Sequence, residues 1–116
     1  MLEIELKARV NDLATVRDRL SSLHAEREGR VLERDLYLNA PHRDFGITDE
    51  ALRIRHAGER CTVTYKGQKK QGFHLKARDE FNCGVESADV MARIFFSLGF
   101  TPVAEVTKWR EYYRFR

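Results

Sequence analysis

The first ten residues alternate apolar and charged side chains without a break: Met1-Leu2-Glu3-Ile4-Glu5-Leu6-Lys7-Ala8-Arg9-Val10. A period of two is that of a β-strand, so Leu2, Ile4, Leu6, Ala8 and Val10 share one face and Glu3, Glu5, Lys7 and Arg9 the other. The chain therefore starts on a sheet with one apolar and one charged face. A solvated sheet surface accounts for such a strand taken alone; the remaining segments decide whether the charges do more.

Asn11 or Asp12 can cap a helix whose apolar stripe is Leu13, Val16, Leu20 and Leu23. From about Arg30 to Asn39 alternation returns, with Leu32, Leu36 and Leu38 on one face and Val31, Glu33, Asp35 and Tyr37 on the other. Residues 40–50, with Pro41, Asp44, Gly46 and Asp49, read as a turn-rich loop. Ala51–Arg55 and Cys61–Lys66, joined through Ala57-Gly58-Glu59, read as a hairpin presenting Arg53 and Arg55 on one strand and Thr62, Thr64 and Lys66 on the other. A fifth strand is expected from His74 to Cys83, with Lys76, Arg78, Glu80 and Asn82 on its polar side. Ser87 caps a second helix with an apolar stripe of Val90, Met91, Ile94, Phe95 and Leu98, ended by Gly99. A sixth strand, Val103 to Arg116, sets Lys108, Arg110, Tyr112 and Arg114 on one face.

The expected fold is α+β: an antiparallel strand tunnel or barrel, incomplete at the C-terminus, with two flanking helices. The 116 residues suit one domain over 1–116. Its halves, 1–67 and 74–116, repeat one order of elements, and the second copy stops before its hairpin. An open edge leaves backbone unpaired and favours association, a homodimer among the outcomes. No apolar run approaches the ~20 residues of a membrane span and no signal-peptide pattern opens the chain, so a cytoplasmic protein is expected. Cys61 and Cys83 lack paired spacing and read as small thiols, while His24, His42, His56 and His74 lack metal-ligand spacing.

Charged residues make up 34% of the chain, 21 Lys and Arg against 18 Asp and Glu, for a net charge of +3. Every expected strand contributes charge to its polar positions: Glu3, Glu5, Lys7, Arg9, Asp35, Arg53, Arg55, Lys66, Lys76, Arg78, Glu80, Lys108 and Arg110. Turned inward, this set lines a cavity with cations and a few acids. Facing cations without counterions oppose closure, and a polyphosphate supplies the counterions. Arg and Lys take phosphate oxygens directly, whereas carboxylates reach them only across a divalent cation such as Mg2+ or Mn2+.

Glu3-x-Glu5-x-Lys7 resembles the opening signature of the CYTH superfamily, which includes class IV adenylate cyclases, thiamine triphosphatases and inorganic triphosphatases. Asp35-Leu36-Tyr37-Leu38, Leu52-Arg53-Ile54-Arg55, Thr64-Tyr65-Lys66-Gly67, the Arg78 and Glu80 pair, and Lys108-Trp109-Arg110 follow in the family's order. The resemblance implies a metal site of Glu3 and Glu5 joined by Glu80. It implies triphosphate binding by Lys7, Arg53, Arg55, Lys66, Arg78, Lys108 and Arg110, with Lys76 at the margin of the ring. Lys7 alternatively orients the attacking group, beside the catalytic Glu3 and Glu5. The implied activity is that of a cyclase converting ATP to cyclic AMP and pyrophosphate. The alternatives are an inorganic or thiamine-triphosphatase-like hydrolase and a non-catalytic polyphosphate or nucleotide-binding module. Members usually continue for two further strands carrying an Asp and a second Glu-x-Glu, and no such segment follows Arg116. A nucleic-acid binder is the rival from another class, suggested by Tyr65, Phe81, Trp109, Tyr112 and Tyr113 among cations. The acids on the same faces would repel a phosphate backbone.

Overall fold

In the computed structural model, residues 12–70 and 77–114 are described. Their elements are α1 (Leu13–Ser22), β1 (Glu26–Asn39), α2 (Phe45–Thr48), β2 (Ala51–Ala57), β3 (Arg60–Lys66), β4 (Glu80–Val85), α3 (Ala88–Ser97) and β5 (Thr101–Arg114). The strands lie in one sheet of order β4-β3-β2-β1-β5. The pairs β1/β2, β2/β3 and β3/β4 are antiparallel. The expected α+β architecture is thus present, with β4 and β5 as open edges among the described residues. The expected opening strand, Met1 to Val10, and with it Glu3, Glu5 and Lys7, lies outside the described residues, as do His74 and Lys76.

The chain divides into two compact units, and β1 and β5 each run through both. In the unit comprising 12–30 and 111–114, Asp12 caps α1 by accepting from the Ala14 amide at 2.9 Å. Val16 and Leu20 are half-buried while Leu13 and Leu23 stay exposed. Glu111 accepts from Arg17 at 2.7–3.1 Å and from the Tyr113 hydroxyl at 3.0 Å. Arg17 above all holds the Glu111 carboxyl down at about 2.

The unit of residues 31–110 carries the core. Antiparallel register lines up Leu36, Ile54, Val63 and Cys83 in one row and Leu38, Leu52, Tyr65 and Phe81 in the next, all on one face. Leu38, Phe45, Leu52 and Ile54 are buried there, and Ala88, Met91, Ala92 and Phe95 of α3 pack against them. The helix was expected to bury Val90, Ile94 and Leu98 as well, yet these are 53%, 46% and 64% exposed. Positions 88, 91, 92 and 95 share one side of the helix; Val90 and Ile94 lie more than a quarter turn away from the middle of that side, and Leu98 is the C-cap beyond the last helical residue. Gly99, at φ +95°, ends α3 in a region an L side chain rarely adopts, and a Cβ there would meet Pro41 at 3.2 Å. The β2–β3 hairpin turns in two residues, the first being Gly58 at φ +60°.

Three expectations shift. β1 starts at Glu26 rather than Arg30. A third helix, the single turn α2, sits inside the predicted loop because Asp44 accepts from the Gly46 amide at 2.9 Å and Asp49 closes the turn in the left-handed region. β4 begins at Glu80 rather than at His74. Arg78 and Asp79 are not in a strand, and the Arg78 fork instead donates to the carbonyls of Gly67 at 2.7 Å and Asp49 at 3.0 Å.

The 40–50 loop is closed by Glu50. Its carboxylate accepts from Arg43 at 2.7 and 2.8 Å, Thr48 at 2.7 Å and the Tyr65 hydroxyl at 2.5 Å. These bonds, Arg43 first, hold its carboxyl at about 2 against an ordinary 4.5. A depressed folded-state pKa contributes stability that is complete above the unfolded value and lost as pH falls through the folded one. Between pH 4.5 and 2, Glu50→Gln is therefore expected to flatten the acid-unfolding curve, followed by circular dichroism. An unchanged acid slope would show that the cluster does not stabilise the fold.

Candidate functional site

The opposite sheet face is built from the residues that alternate with the core. Its rows are Tyr37-Arg53-Thr64-Asn82, Asp35-Arg55-Thr62-Gly84, and Ala51-Lys66-Glu80. Lys108 and Arg110 of β5 reach the acids of β1 on the same face, 3.8 Å from Asp35 and 3.0 Å from Glu33. Five of the expected triphosphate ligands, Arg53, Arg55, Lys66, Lys108 and Arg110, thus come together with Glu80 on four strands.

These cations are not equivalent. Arg55 is pinned: its Nε and Nη2 donate to the two Asp35 oxygens at 2.8 Å each, and Nη1 lies 3.2 Å from Glu33. Both acids are buried, at 2% exposure each. Burial by itself would raise the Asp35 carboxyl, but the hydrogen bonds and charge of Arg55, with Arg53 and Lys108, leave it below the ordinary range. The same bonds to Asp35 raise Arg55 further. Lys108 and Arg110, with side chains 40% and 42% exposed, form the looser outer layer. The Arg110 Nε faces Glu33 Oε1 without the alignment of a hydrogen bond, since that buried oxygen has no hydrogen-bond partner.

Arg53 differs again. Among the described residues its one hydrogen bond is a long donation to the Thr64 hydroxyl at 3.3 Å, and its buried Nε has no partner. Thr64 passes the chain on by donating to Asn82 at 2.5 Å, and Asn82 donates to Glu80 at 3.2 Å. Glu80 lies 3.4 Å from Lys66. The Asn82 bond chiefly lowers the Glu80 carboxyl, with the charges of Lys66 and Arg53 adding to it. Arg53 therefore stands between the Glu33/Asp35 pair and the Glu80 end of the face, with no ion pair of its own among the described residues.

Arg78, also expected at the site, spends its Nε and one terminal nitrogen on the Gly67 and Asp49 carbonyls. Glu33 is the participant that the sequence reading placed on the right face but left out of the charged set. Its signal was its position two residues before Asp35 on the polar side of β1. Of the three expected metal ligands, Glu80 is described and Glu3 and Glu5 are not. Among the described residues no group of three or more His, Cys, Asp or Glu could hold a metal. The described face by itself does not fit a divalent cation. No described helix is long and apolar enough to cross a membrane.

Comparison with known proteins places this face in context. A Methanocaldococcus jannaschii protein named "Putative adenylate cyclase MJ0240" is 38% identical over 114 residues, which cover 98% of this chain and 65% of that protein. The PH1819 protein from Pyrococcus horikoshii superposes with a TM-score of 0.72 at 32% identity, over 87% of this chain and 59% of its own. A Hippeastrum protein, described as a "putative adenylyl cyclase" with a dominant triphosphatase activity, has the same fold at a TM-score of 0.64 and 16% identity, over 88% of this chain and 60% of its own. The chain thus spans about two thirds or less of the length of these relatives. The sequence profile of the CYTH domain matches residues 1–116, and the chain belongs to the CYTH family.

Proposed function

We propose that the polar sheet face binds a triphosphate and that the protein acts on it, in the first reading as a class IV-like adenylate cyclase producing cyclic AMP and pyrophosphate from ATP. Arg53 carries the reading. Arg53 is half-buried, and its buried, unpartnered Nε is costly unless an acceptor completes it. A phosphate on the face would take the terminal nitrogens, and a turn of the side chain would bring Nε into the fork geometry that guanidinium groups favour.

In this reading Arg53, Lys66, Lys108 and Arg110 touch phosphate oxygens, joined by Lys7 from outside the described residues. Arg55 supports them as a strut, because its fork is filled by Asp35 and Glu33. Lys108 and Arg110 are free to swing from β1 toward the ligand, which their exposure allows. Charge gathered on the leaving pyrophosphate is stabilised by cations already in place, the main source of catalysis in phosphoryl chemistry. In the cyclase the ribose 3′-hydroxyl attacks the α-phosphorus, loses its proton, and the pyrophosphate leaves.

The second reading is a triphosphatase, in which water attacks the terminal phosphorus and orthophosphate leaves. The stacked Tyr65–Phe81 pair lies on the opposite sheet face from Arg53, which leaves Tyr37 as the aromatic side chain in the Arg53 row. Incubation with ATP or tripolyphosphate and Mg2+ or Mn2+, followed by ion-exchange separation, distinguishes the two. Cyclic AMP with pyrophosphate marks the cyclase, orthophosphate the triphosphatase. Binding with no product in any reaction marks a binding module, and no binding at all removes the reading.

Metal dependence in this reading rests on Glu3 and Glu5, outside the described residues, whose spacing of two in the sequence is the pattern expected of one strand face. Glu3→Gln and Glu5→Gln are expected to lower metal-dependent turnover by about a hundredfold or more, since a bound cation contributes several kcal/mol of charge stabilisation. Thermal unfolding should move little. Full activity in both variants would remove the acids from the metal site.

A further inference from the structure

The polar face holds its own anions. Arg53, Arg55, Lys66, Lys108 and Arg110 supply five positive charges, and Glu33, Asp35 and Glu80 answer with three negative ones. Asp35 has a plain structural duty, because both of its oxygens accept from Arg55. Glu33 does not match it. Its Oε2 lies 3.2 Å from Arg55, whose fork Asp35 already fills, and its Oε1 meets Arg110 at 3.0 Å without hydrogen-bond alignment. A buried carboxylate in so imperfect a setting costs stability that better alignment or an amide would recover.

We propose that Glu33 is an internal competing anion of the polyphosphate site. It occupies Arg110 in the empty state and lowers the affinity for polyanions, so that substrate binding is an exchange of anions rather than an addition. The inference rests on the triphosphate reading above.

Two effects of Glu33 oppose one another. Holding Arg110 in place favours binding, and the charge of the carboxylate a few ångströms from the ligand disfavours it. The first is a single contact to a side chain 42% exposed, and such pairs are worth little. The second acts on a ligand carrying several negative charges, through a partly desolvated face, where one unit charge changes affinity by about tenfold or more. The repulsion wins. Removal of the charge without change of shape should therefore tighten binding rather than loosen it.

The test is titration calorimetry of tripolyphosphate, without metal, into the wild-type chain and Glu33→Gln across a range of NaCl concentrations. The expected result is about tenfold tighter binding by the variant at low salt, with the gap narrowing as salt screens the interaction. A merely structural role for Glu33 predicts neither the sign nor the salt dependence. Should Glu33→Gln fail to fold, Glu33→Asp keeps the charge but withdraws it from Arg110, and a smaller tightening is expected. Wild-type binding with equal or weaker binding by the folded variant overturns the inference alone. No wild-type binding overturns both the inference and the triphosphate reading.

Discussion

Replacing Arg53 by alanine is expected to weaken tripolyphosphate binding by about 10- to 150-fold, the range of a hydrogen bond to a charged group, with little loss of stability. Most cations of the face already have a carboxylate, so their substitution trades one anion contact for another. Arg53 has a long bond to Thr64 and a buried Nε with no partner. Its removal forfeits almost nothing in the empty protein and the whole contact in the bound one. Arg53→Lys keeps the charge without the fork and should fall between. Calorimetric affinity alongside a urea titration separates the two effects. Unchanged affinity in Arg53→Ala would place this row of the sheet outside the site.

Arg55→Ala is expected to have the opposite profile, destabilising the fold by about 3–5 kcal/mol, as when one partner of a buried ion pair is deleted. Asp35 would remain buried without the guanidinium fork that takes both its oxygens, and Glu33 without one of its two cations. On the scale of 5–15 kcal/mol for a whole domain this is a large share. The pH dependence also changes sign. In the wild type, the Asp35 carboxyl lies below its unfolded value, so its contribution is present above that value and lost on acidification. Without Arg55, burial dominates and raises the folded-state pKa, so stability is lost as pH rises through the unfolded value. The deficit of Arg55→Ala in urea titrations should therefore shrink as pH is lowered toward 4. A constant deficit would show that Arg55 contributes packing alone.

The charged face was legible because side-chain direction in a strand depends only on parity. Arg53 and Arg55, Lys66 and Glu80, and Lys108 and Arg110 are each two residues apart or cross-strand neighbours, and the same count that found the core found them. What each cation touches was not legible. The partners of Glu33 come from β2 and β5, and β5 lies next to β1 although more than sixty residues separate them in the chain. No local pattern encodes that adjacency. The α3 stripe was misread for a related reason. Val90, Met91, Ile94, Phe95, Phe96 and Leu98 make the helix apolar over most of its girth, so periodicity cannot choose the side that meets the sheet. The one-turn α2 is too short to show any period. The proposed metal ligands Glu3 and Glu5 rest on the opening alternation and the family resemblance.

One clamp described above bears on motion rather than on binding. The Arg78 fork joins a carbonyl that closes the 40–50 loop to one at the end of β3, and the Lys69 amide donates back to Asp49 at 3.0 Å. Neither segment can detach without breaking bonds to the other. They should open as one cooperative unit, so that slow-exchanging amides on both sides of the clamp share a single opening free energy.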